Sequence, residues 1–436
     1  MKKILLGATA LIAIASAPAF AADIAPKMVT KAPAAVVWDW TGWYVGAYAG
    51  IGVNRSRASD PTGATSGDLD FVNHGFAGGG TIGYNWQFAK HWVAGIEGDI
   101  GYFGLGRSFI DFNDALTLNQ QTSWLATLRG RIGYTSSPNL SYITGGAAWV
   151  HTKDSLFSGV TGASNSETKT GWTIGTGTET MLGGGWTAKA ETLYVDAGDG
   201  SLISNGSFSY QADHRYYTQR FGVNYLFGGK PPASALPQYN WSGFYVGLVG
   251  GTAIAQARVS DFAGTTSSAG EFGNNGTGYH AGGIVGWNWQ FAPTWVAGVE
   301  GDFSWMGIDH TINQYNDTPS VYTLKTNWMA TARGRLAYST GPALLYITGG
   351  GAWVNVTESA GIFSTTPVPT KSTLSGYTVG GGIETTLAGG WASRTEYLFV
   401  DVGNGPGVCD SAATYCVQAY HQFHLFRGTL TYKFGG

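Results

Sequence analysis

This chain contains the same pattern of residues twice, and that duplication limits what it can fold into. The run 40–46 (WTGWYVG) returns at 241–247 as WSGFYVG, and the run 92–99 (WVAGIEGD) returns at 295–302 as WVAGVEGD. The repeat is far longer than the roughly 20–50 residues of a solenoid unit. Two copies in a chain of 436 residues therefore predict two equivalent domains built on one plan.

Each copy divides into eight strand-like runs of about 12–16 residues, enough to cross a bilayer at a tilt when about 9–11 are needed. Short and long connections alternate between the runs. In the first copy the long connections, predicted to be external loops, are 54–75, 106–121, 156–170 and 198–214. The spacing between the copies grows from 201 to 207 residues, and each change falls in a long connection. Tight turns at one end and long loops at the other are typical of an outer-membrane barrel.

The composition agrees with a barrel and excludes other classes. Charged residues make up 12% of the chain, where about 25% is usual in soluble domains. Glycine reaches 68 residues and tryptophan 17. The net charge of −3 gives no basic surface for nucleic acid, and two cysteines exclude a disulfide scaffold or a cysteine-rich metal fold.

The first residues are predicted to be a signal peptide covering 1–22. Lys2 and Lys3 precede an apolar stretch at 4–15, and a small-x-small cleavage site follows at 19–21. An anchor helix is the alternative, but twelve apolar residues are short of the ~20 that span a bilayer. A periplasmic linker is predicted for 23–37.

The predicted fold class is all-β, a transmembrane antiparallel up-and-down β-barrel. Two tandem eight-stranded barrels are expected at 38–228 and 239–436, joined by a Pro-rich periplasmic linker at 229–238 that contains Pro231, Pro232 and Pro237. Proline removes backbone donors and favours an extended linker. The alternative is one 16-stranded barrel, which would leave an aqueous channel where eight strands leave a filled interior.

Alternation along each run assigns its two faces. In the run 124–134, Trp124 and Leu128 share one face, and Arg129 and Arg131 share the other. Because a cation on the lipid face costs ~2–4 kcal/mol at the midplane, the charged face is predicted to line the lumen. The same reasoning predicts a charge-balanced salt network of Glu97, Asp99, Arg129, Arg131, Glu179, Lys189, Glu191 and Arg220 in the first lumen, and of Glu300, Asp302, Arg333, Arg335, Glu384, Arg394, Glu396 and Arg427 in the second.

Aromatic residues at the short connections indicate depth in a membrane. Trp86, Phe88 and Trp92 bracket the first short turn, and Trp186 follows the third. Such girdles mark the interfaces of outer-membrane barrels. A soluble β-sandwich would place the aromatics in a core, and it would leave the alternation of short and long loops without a reason.

These runs together resemble the small outer-membrane immunogenic-protein family of alphaproteobacteria. The motifs are W-[TS]-G-[WF]-Y-V-G, W-x-A-x-x-E-G-D, the LRGRIGY-type strand, YITGG and a closing Tyr-x-Phe. The resemblance covers both halves and implies OmpA-like eight-stranded barrels, surface exposure and antigenicity. Some relatives are linked to haem binding or weak pore activity. The chain differs from that pattern in carrying two copies, and in the Gly-Gly that follows Phe227 and Phe434.

Three patterns in the sequence are associated with catalysis or ligand binding in other proteins. Gly78-x-Gly80-x-x-Gly83 matches a dinucleotide motif, but that motif needs a helix to follow, and here a strand continues. Glu97 and Asp99 could form a glycosidase-type pair, but neighbouring arginines favour ionised carboxylates. His214 and His421 occupy equivalent positions, and a loop role is the default over a metal or haem site. We therefore expect no enzyme activity, no catalytic residues, no metal and no cofactor.

Cys409 and Cys416 lie in the last long connection of the second half and are expected to form a disulfide, because an exported loop is oxidising territory. The expected function is a structural, surface-exposed, antigenic or interaction role in the outer membrane of a Gram-negative bacterium. The alternatives are a diffusion porin and, less favoured, a haem or small-ligand binder acting through its external loops. Expected partners are outer-membrane lipid, lipopolysaccharide and the barrel-assembly machinery, the last through the Phe434 end.

Overall fold

A computed structural model describes most of the chain. It covers residues 38–59, 69–111, 116–136, 138–158, 161–206, 209–228, 239–261, 271–314, 320–362, 366–413 and 416–434. The predicted signal peptide (1–22) and both predicted linkers (23–37 and 229–238) lie outside these ranges. No helix within the described ranges is long and apolar enough to cross a membrane.

The first half forms one antiparallel sheet that closes on itself. Each long strand pairs with the next, and the last long strand, β9, pairs back with β1, so that Ala49 lies opposite Phe221. The two-residue strand β8 pairs only with the start of β9. The strands are β1 (Gly42–Ser59), β2 (Leu69–Ala89), β3 (Trp92–Asp111), β4 (Leu116–Ser136), β5 (Asn139–Ser158), β6 (Thr161–Gly183), β7 (Trp186–Asp199), β8 (Ile203–Ser204) and β9 (Ser209–Leu226).

The second half repeats this arrangement. Its last strand, β18, pairs back with β10, so that Gly250 lies opposite Gly428. Two eight-stranded barrels are therefore present, each with one short extra strand, and the alternative of a single 16-stranded barrel was wrong. The strands are β10 (Gly243–Asp261), β11 (Glu271–Ala292), β12 (Trp295–Gln314), β13 (Ser320–Ser339), β14 (Ala343–Ile362), β15 (Thr370–Thr386), β16 (Trp391–Asn404), β17 (Val408–Cys409) and β18 (Cys416–Lys433).

The predicted alternation of faces is present along the strands. In β1, the side chain of Trp43 is 59% exposed on the outer surface, whereas that of Tyr44 is 1% exposed inside the barrel. Large apolar side chains cover the outer surface, including Trp86, Ile96 and Leu128. An apolar outside and a polar inside suit a barrel in lipid, where open sheet edges cannot be tolerated.

The strands extend much further than the sequence indicated, to 14–23 residues for the eight long strands of the first barrel. The segment 106–121, predicted to be a loop, is mostly paired, since β3 continues to Asp111 and β4 begins at Leu116. The segment 156–170 is likewise mostly a hairpin of β5 and β6. Antiparallel pairing satisfies backbone donors and acceptors wherever the register can continue, and it does so here beyond the apolar part of each strand.

The turn between β6 and β7 explains one run of glycines. Gly183, Gly184 and Gly185 have φ values of 95°, 60° and 87°. Residues other than glycine rarely adopt positive φ angles at three successive positions. The equivalent turn of the second barrel uses Gly389 and Gly390 in the same way, with φ values of 66° and 84°.

The two barrels lie against each other along their outer surfaces. Val53 of the first barrel and Ile254 of the second are fully buried in one cluster, although both side chains point out of their own barrels. At the end of the barrels that carries the short turns, Asn139 donates hydrogen bonds to the carbonyl oxygens of Pro342 (3.2 Å) and Thr386 (2.9 Å). Contact at both levels shows that the barrels point the same way.

Candidate functional site

The lumen of the first barrel holds a ring of ionic contacts centred on Arg129. Its guanidinium lies 2.5 Å from Glu97, 2.9 Å from Asp99 and 2.8 Å from Glu191. Glu97 and Asp99 come from β3, the neighbour of β4, whereas Glu191 comes from β7, three strands further round the barrel. One side chain thus connects opposite walls of the barrel, as alternation along the strands requires once the charged face is inside.

Three further cations complete the set. Arg131 contacts Glu179 at 3.1 Å. Its Nε (2.9 Å) and Nη2 (2.6 Å) both donate hydrogen bonds to Oδ1 of Asn85. Lys189 contacts Glu97 at 2.9 Å. Arg220 contacts Asp99 at 2.9 Å. We call the eight charged side chains of each lumen its ionic band; all eight residues predicted for the first lumen lie in it.

The second lumen has an ionic band at equivalent positions. Arg333 lies 2.7 Å from Glu300, 2.9 Å from Asp302 and 3.2 Å from Glu396. The remaining contacts join Arg335 to Glu384 (2.6 Å), Arg394 to Glu300 (2.9 Å) and Glu384 (3.2 Å), and Arg427 to Asp302 (3.2 Å) and Glu396 (2.6 Å). In both bands every charged side chain is at most 3% exposed. The sixteen residues predicted from the sequence therefore form two compact groups.

A tyrosine donates a hydrogen bond to each ionic band, and a glycine on the neighbouring strand leaves space for its ring. Tyr44 donates a hydrogen bond to Glu97 (2.7 Å), and Tyr245 donates to Glu300 in the second barrel (2.7 Å). A Cβ on Gly83 would collide with the ring of Tyr44. Gly83 belongs to the motif that resembled a dinucleotide fingerprint, and the motif lies within β2 with no helix after it.

Glu97 and Asp99 point into the lumen together but lack the surroundings of a catalytic acid. Glu97 contacts Arg129, Lys189 and Tyr44, and Asp99 accepts a hydrogen bond from Thr127 at 2.5 Å. Such contacts stabilise the ionised form of a carboxylate, whereas a general acid must hold a proton. Each oxygen is used by a neighbour, so the pair is built for ionic cross-linking.

Above the band of the first barrel, an apolar layer separates the charges from a second polar group. The layer includes Phe103, Leu125 and Val150. Beyond it, towards the end of the barrel with long connections, Nε2 of His214 lies 3.1 Å from Oδ2 of Asp154. His214 is fully buried, so it is an inward-pointing residue of β9 rather than a loop residue.

The second barrel repeats this pair in the same place. His421 Nε2 lies 3.0 Å from Oε1 of Glu358, and Tyr322 also donates to Glu358. The sequence pattern marks the two histidines but not their carboxylate partners. Asp154 and Glu358 are themselves equivalent, at a spacing of 204 residues in the corresponding strands β5 and β14. Searching the two copies for repeated acids would have found them.

A glycine from the chain after β7 or β16 lies against each histidine–carboxylate pair. A Cβ on Gly200 would meet the ring of His214 at 3.0 Å, and one on Gly405 would meet Glu358 at 2.6 Å and His421 at 2.9 Å. The backbone nitrogens of the two glycines donate to Ala212 (2.6 Å) and Ala419 (2.7 Å). Backbone therefore covers both pairs, and of their four side chains only that of Asp154 is partly exposed, at 13%.

Among the described residues there is no group of three or more histidine, cysteine, aspartate or glutamate side chains that could hold a metal ion. The histidine–carboxylate pairs have two members each, with a fully buried histidine. A small cavity of about 30 Å³ lies beside Asp154 in the first barrel, lined also by Leu118, Ile203 and Tyr210. That volume accommodates about one water molecule.

The two cysteines form a disulfide in the structure. Cys409 in β17 lies opposite Cys416 at the start of β18, with the sulfur atoms 2.04 Å apart. The bridge closes a short hairpin at the end of the second barrel that carries the long connections.

Two closed barrels with apolar outer surfaces, aromatic residues at the turns and charged interiors define a class: this is an outer-membrane β-barrel protein of a Gram-negative bacterium. The family described as "Outer membrane protein beta-barrel domain" matches the chain twice, over residues 7–227 and 231–434. The chain belongs to that family, as a tandem duplicate.

Its relatives include single-copy proteins of alphaproteobacteria. The 31 kDa outer-membrane immunogenic protein of Brucella melitensis is 32% identical over 243 residues, which cover 52% of this chain and 100% of the relative. The 25 kDa outer-membrane immunogenic protein of Brucella canis is 33% identical over 233 residues, covering 52% of this chain and 99% of the relative. The crystal structure of Neisserial surface protein A covers 43% of this chain and 98% of its own, with 16% identity and a TM-score of 0.24.

Proposed function

We propose that this protein is a structural component of the outer membrane that presents its long hairpins at the cell surface and carries out no catalysis. Both lumens are closed by their ionic bands, so neither barrel serves as a pore. The relatives named above as outer-membrane immunogenic proteins support a surface-exposed, antigenic role. The observation that carries the proposal is the ionic band itself.

The band supports closure because its contacts run across the lumen. Arg129 on β4 reaches Glu191 on β7 at 2.8 Å, and Arg333 on β13 reaches Glu396 on β16 at 3.2 Å. Breaking such a contact to admit ions would leave a charge buried without its partner, which costs ~3–5 kcal/mol. An open state would have to break several at once.

The histidines fit this reading better than a ligand-binding one. A haem or small-ligand site reached from outside would need an accessible side chain, whereas His214 and His421 are buried and each faces a carboxylate. The partners we propose are lipid and lipopolysaccharide around the barrels, and the barrel-assembly machinery acting at the Phe434 end. Outward side chains such as Trp86 and Trp289 suit contact with lipid.

Conductance in a planar bilayer tests the closed lumen. The full chain should give no steady open level. Arg129→Ser, which removes three ionic contacts, should give brief openings. Its matched control is Leu128→Ser, which changes the adjacent residue on the outer surface and should give none. A steady nanosiemens-scale level from the unmodified chain would favour the diffusion porin and overturn the proposal.

Labelling of intact cells tests surface exposure. Leu202 is exposed at the end with long connections, and Lys90 is exposed in a short turn at the other end. With Cys409 and Cys416 joined, each cysteine variant adds one free thiol to the described residues. Leu202→Cys should react with an impermeant reagent on intact cells, and Lys90→Cys only after the outer membrane is opened. The reverse result would place the long hairpins in the periplasm.

A further inference from the structure

Near the short turns, the first barrel carries small and polar residues at outward-facing positions, and the second barrel carries a mixture of polar and apolar ones. We call this surface the seam. It consists of outward-facing residues near the short turns, Asn139, Ser141, Thr178, Thr180, Ala188 and Ala190 in the first barrel, and Leu345, Ile383, Thr385, Ser393 and Thr395 in the second, together with Thr386 at the end of β15, which Asn139 contacts. Small residues let backbones approach closely within a membrane. The seam is the contact between the barrels near the short turns, separate from the Val53–Ile254 cluster.

One side of the seam is made of polar pairs. Ser141 and Ser393 lie with their hydroxyl oxygens 3.2 Å apart, and Thr178 donates to Thr395 at 3.5 Å. Thr178 is 4% exposed and Thr395 is 5% exposed, although both point away from their own lumens. Ser393 also bonds Thr385 of its own barrel at 2.9 Å, but in lipid the hydroxyls of Ser141, Thr178 and Thr395 would lose these contacts, which carries a free-energy cost. Pairing across the seam removes that cost.

The other side of the seam is made of apolar pairs. Ala188 and Ala190 of the first barrel form one buried cluster with Ile383, and Leu345 packs against it. These residues are the sequence equivalents of the polar ones: Leu345 corresponds to Ser141, and Ile383 to Thr178. Likewise Ala188 corresponds to Ser393 and Ala190 to Thr395. The same contact thus occurs twice about an approximate two-fold axis, once with polar and once with apolar residues.

We propose that the seam is a partner-selective surface by which the first barrel binds the second barrel of its own chain in preference to another copy of itself. Two first barrels joined through this surface would set Ser141 against Ala188 and Thr178 against Ala190, on both sides. Two second barrels would set Leu345 against Ser393. In each homotypic pair the hydroxyls of these residues meet apolar side chains, whereas in the heterotypic pair polar residues meet polar ones and apolar residues meet apolar ones.

Cysteine cross-linking in the full chain tests which partner is chosen. In outer membranes treated with a mild oxidant, Ser141→Cys with Ser393→Cys should give a bond within one chain, so the halves stay joined after protease cuts 229–238. The matched control, Leu128→Cys with Ser393→Cys, uses an outward residue away from the seam and should give none. Ser141→Cys with Ala188→Cys should give no dimer of chains; a dimer there, with no 141–393 bond, would overturn the proposal.

Exchange of one pair tests whether matching sets the preference. Thr178→Ile places an apolar side chain against Thr395 and should lower the initial rate of the 141–393 cross-link at least threefold. Adding Thr395→Ala recreates the Ile–Ala pair found on the other side and should restore the rate. Since Thr178 lies outside the lumen, barrel folding, followed by migration before and after boiling, should stay unchanged. If the single and double variants cross-link at the unmodified rate, matching does not select the partner.

Discussion

Ser204 and Ser209 of the first barrel occupy the positions that Cys409 and Cys416 occupy in the second. The serine hydroxyls form a hydrogen bond of 2.9 Å, and the cysteines form a disulfide. Both pairs close the same short hairpin, β8–β9 in one barrel and β17–β18 in the other. A noncovalent closure therefore suffices for this backbone, and the covalent one adds to its stability.

The upper lumen is the part of each barrel interior between the ionic band and the long connections. The two upper lumens also differ in their side chains while keeping the same strand pairing. In the first barrel, Gln120 donates to Ser56 at 3.0 Å and lies 3.3 Å from His214. At the equivalent positions of the second barrel stand Leu324 and Ala257, both buried in an apolar cluster. The upper lumen can thus be polar or apolar without any change in strand pairing.

The ionic bands show how far such exchange can go. Of the eight positions in each band, seven carry the same residue in both barrels, and the eighth pairs Lys189 with Arg394. A change of sign at any one position would leave charges on other strands unpaired, because most of the guanidinium and carboxylate groups contact more than one other strand. The difference between the two zones therefore reflects how many partners each side chain has.

Removing the central arginine should have the largest effect and should be the same in both barrels. Arg129→Ala and Arg333→Ala each leave three carboxylates without a common partner, so each should lower the free energy of unfolding of its barrel by ~3–5 kcal/mol. Urea unfolding in lipid vesicles, followed by tryptophan fluorescence, measures this. The pair Lys189→Ala and Arg394→Ala refines it: Arg394 contacts two carboxylates and Lys189 one, so the second variant should cost more. Unchanged midpoints in all four variants would contradict the assignment of the lumens.

Exchanging the hairpin closures should have an intermediate effect, opposite in the two barrels. Cys409→Ser with Cys416→Ser gives the second barrel the closure of the first and should lower stability by roughly 2–3 kcal/mol, from the entropy of a loop this short. The residues are seven positions apart. Ser204→Cys with Ser209→Cys should raise the stability of the first barrel. Protease resistance of each hairpin reports the change, and a second barrel that gains resistance after losing its bridge would argue against it.

Converting the upper lumen of the first barrel to that of the second should have the smallest effect. Gln120→Leu alone leaves the hydroxyl of Ser56 and the ring of His214 without that partner, at a cost of about 1–3 kcal/mol. Adding Ser56→Ala removes a hydroxyl that has lost the donor Gln120 and, among the described residues, keeps only the carbonyl oxygen of Asp213, so it should recover part of the loss. Thermal unfolding of the two variants, compared with Thr173→Ala as a control in the lumen wall, separates the effects. A double variant less stable than the single one would contradict this expectation.

Much of the fold could be read from the sequence because it depends on period and repetition. The duplication, the two faces of each strand and the sixteen charged lumen residues all follow from alternation along strands. Both barrels contain eight long strands, as expected. The strand ends could not be read in this way, because hairpins such as that of β5 and β6 continue through Thr, Ser and Asn residues that are also common in loops.

The remaining features depend on pairs of strands brought together by closure. Nothing local marks Asp154 as the partner of His214, since they lie 60 residues apart on β5 and β9. The seam could not be predicted from the sequence for a different reason. Thr178 and Ser141 follow the alternation of lipid-facing residues, and only contact with the second barrel distinguishes them. A comparison of the two copies would have revealed the first feature but not the second.

The linker gives the seam an advantage that two separate barrels would not have. Ten residues, 229–238, join the barrels, and a tether of this length holds the partners at an effective concentration in the millimolar range. At about 1 mM, an interface with a dissociation constant of about 0.1 mM would be closed roughly nine-tenths of the time. Weak contacts therefore suffice to keep a tethered pair side by side. A seam residue of one barrel can then mutate before a compensating mutation arises at its partner in the other barrel.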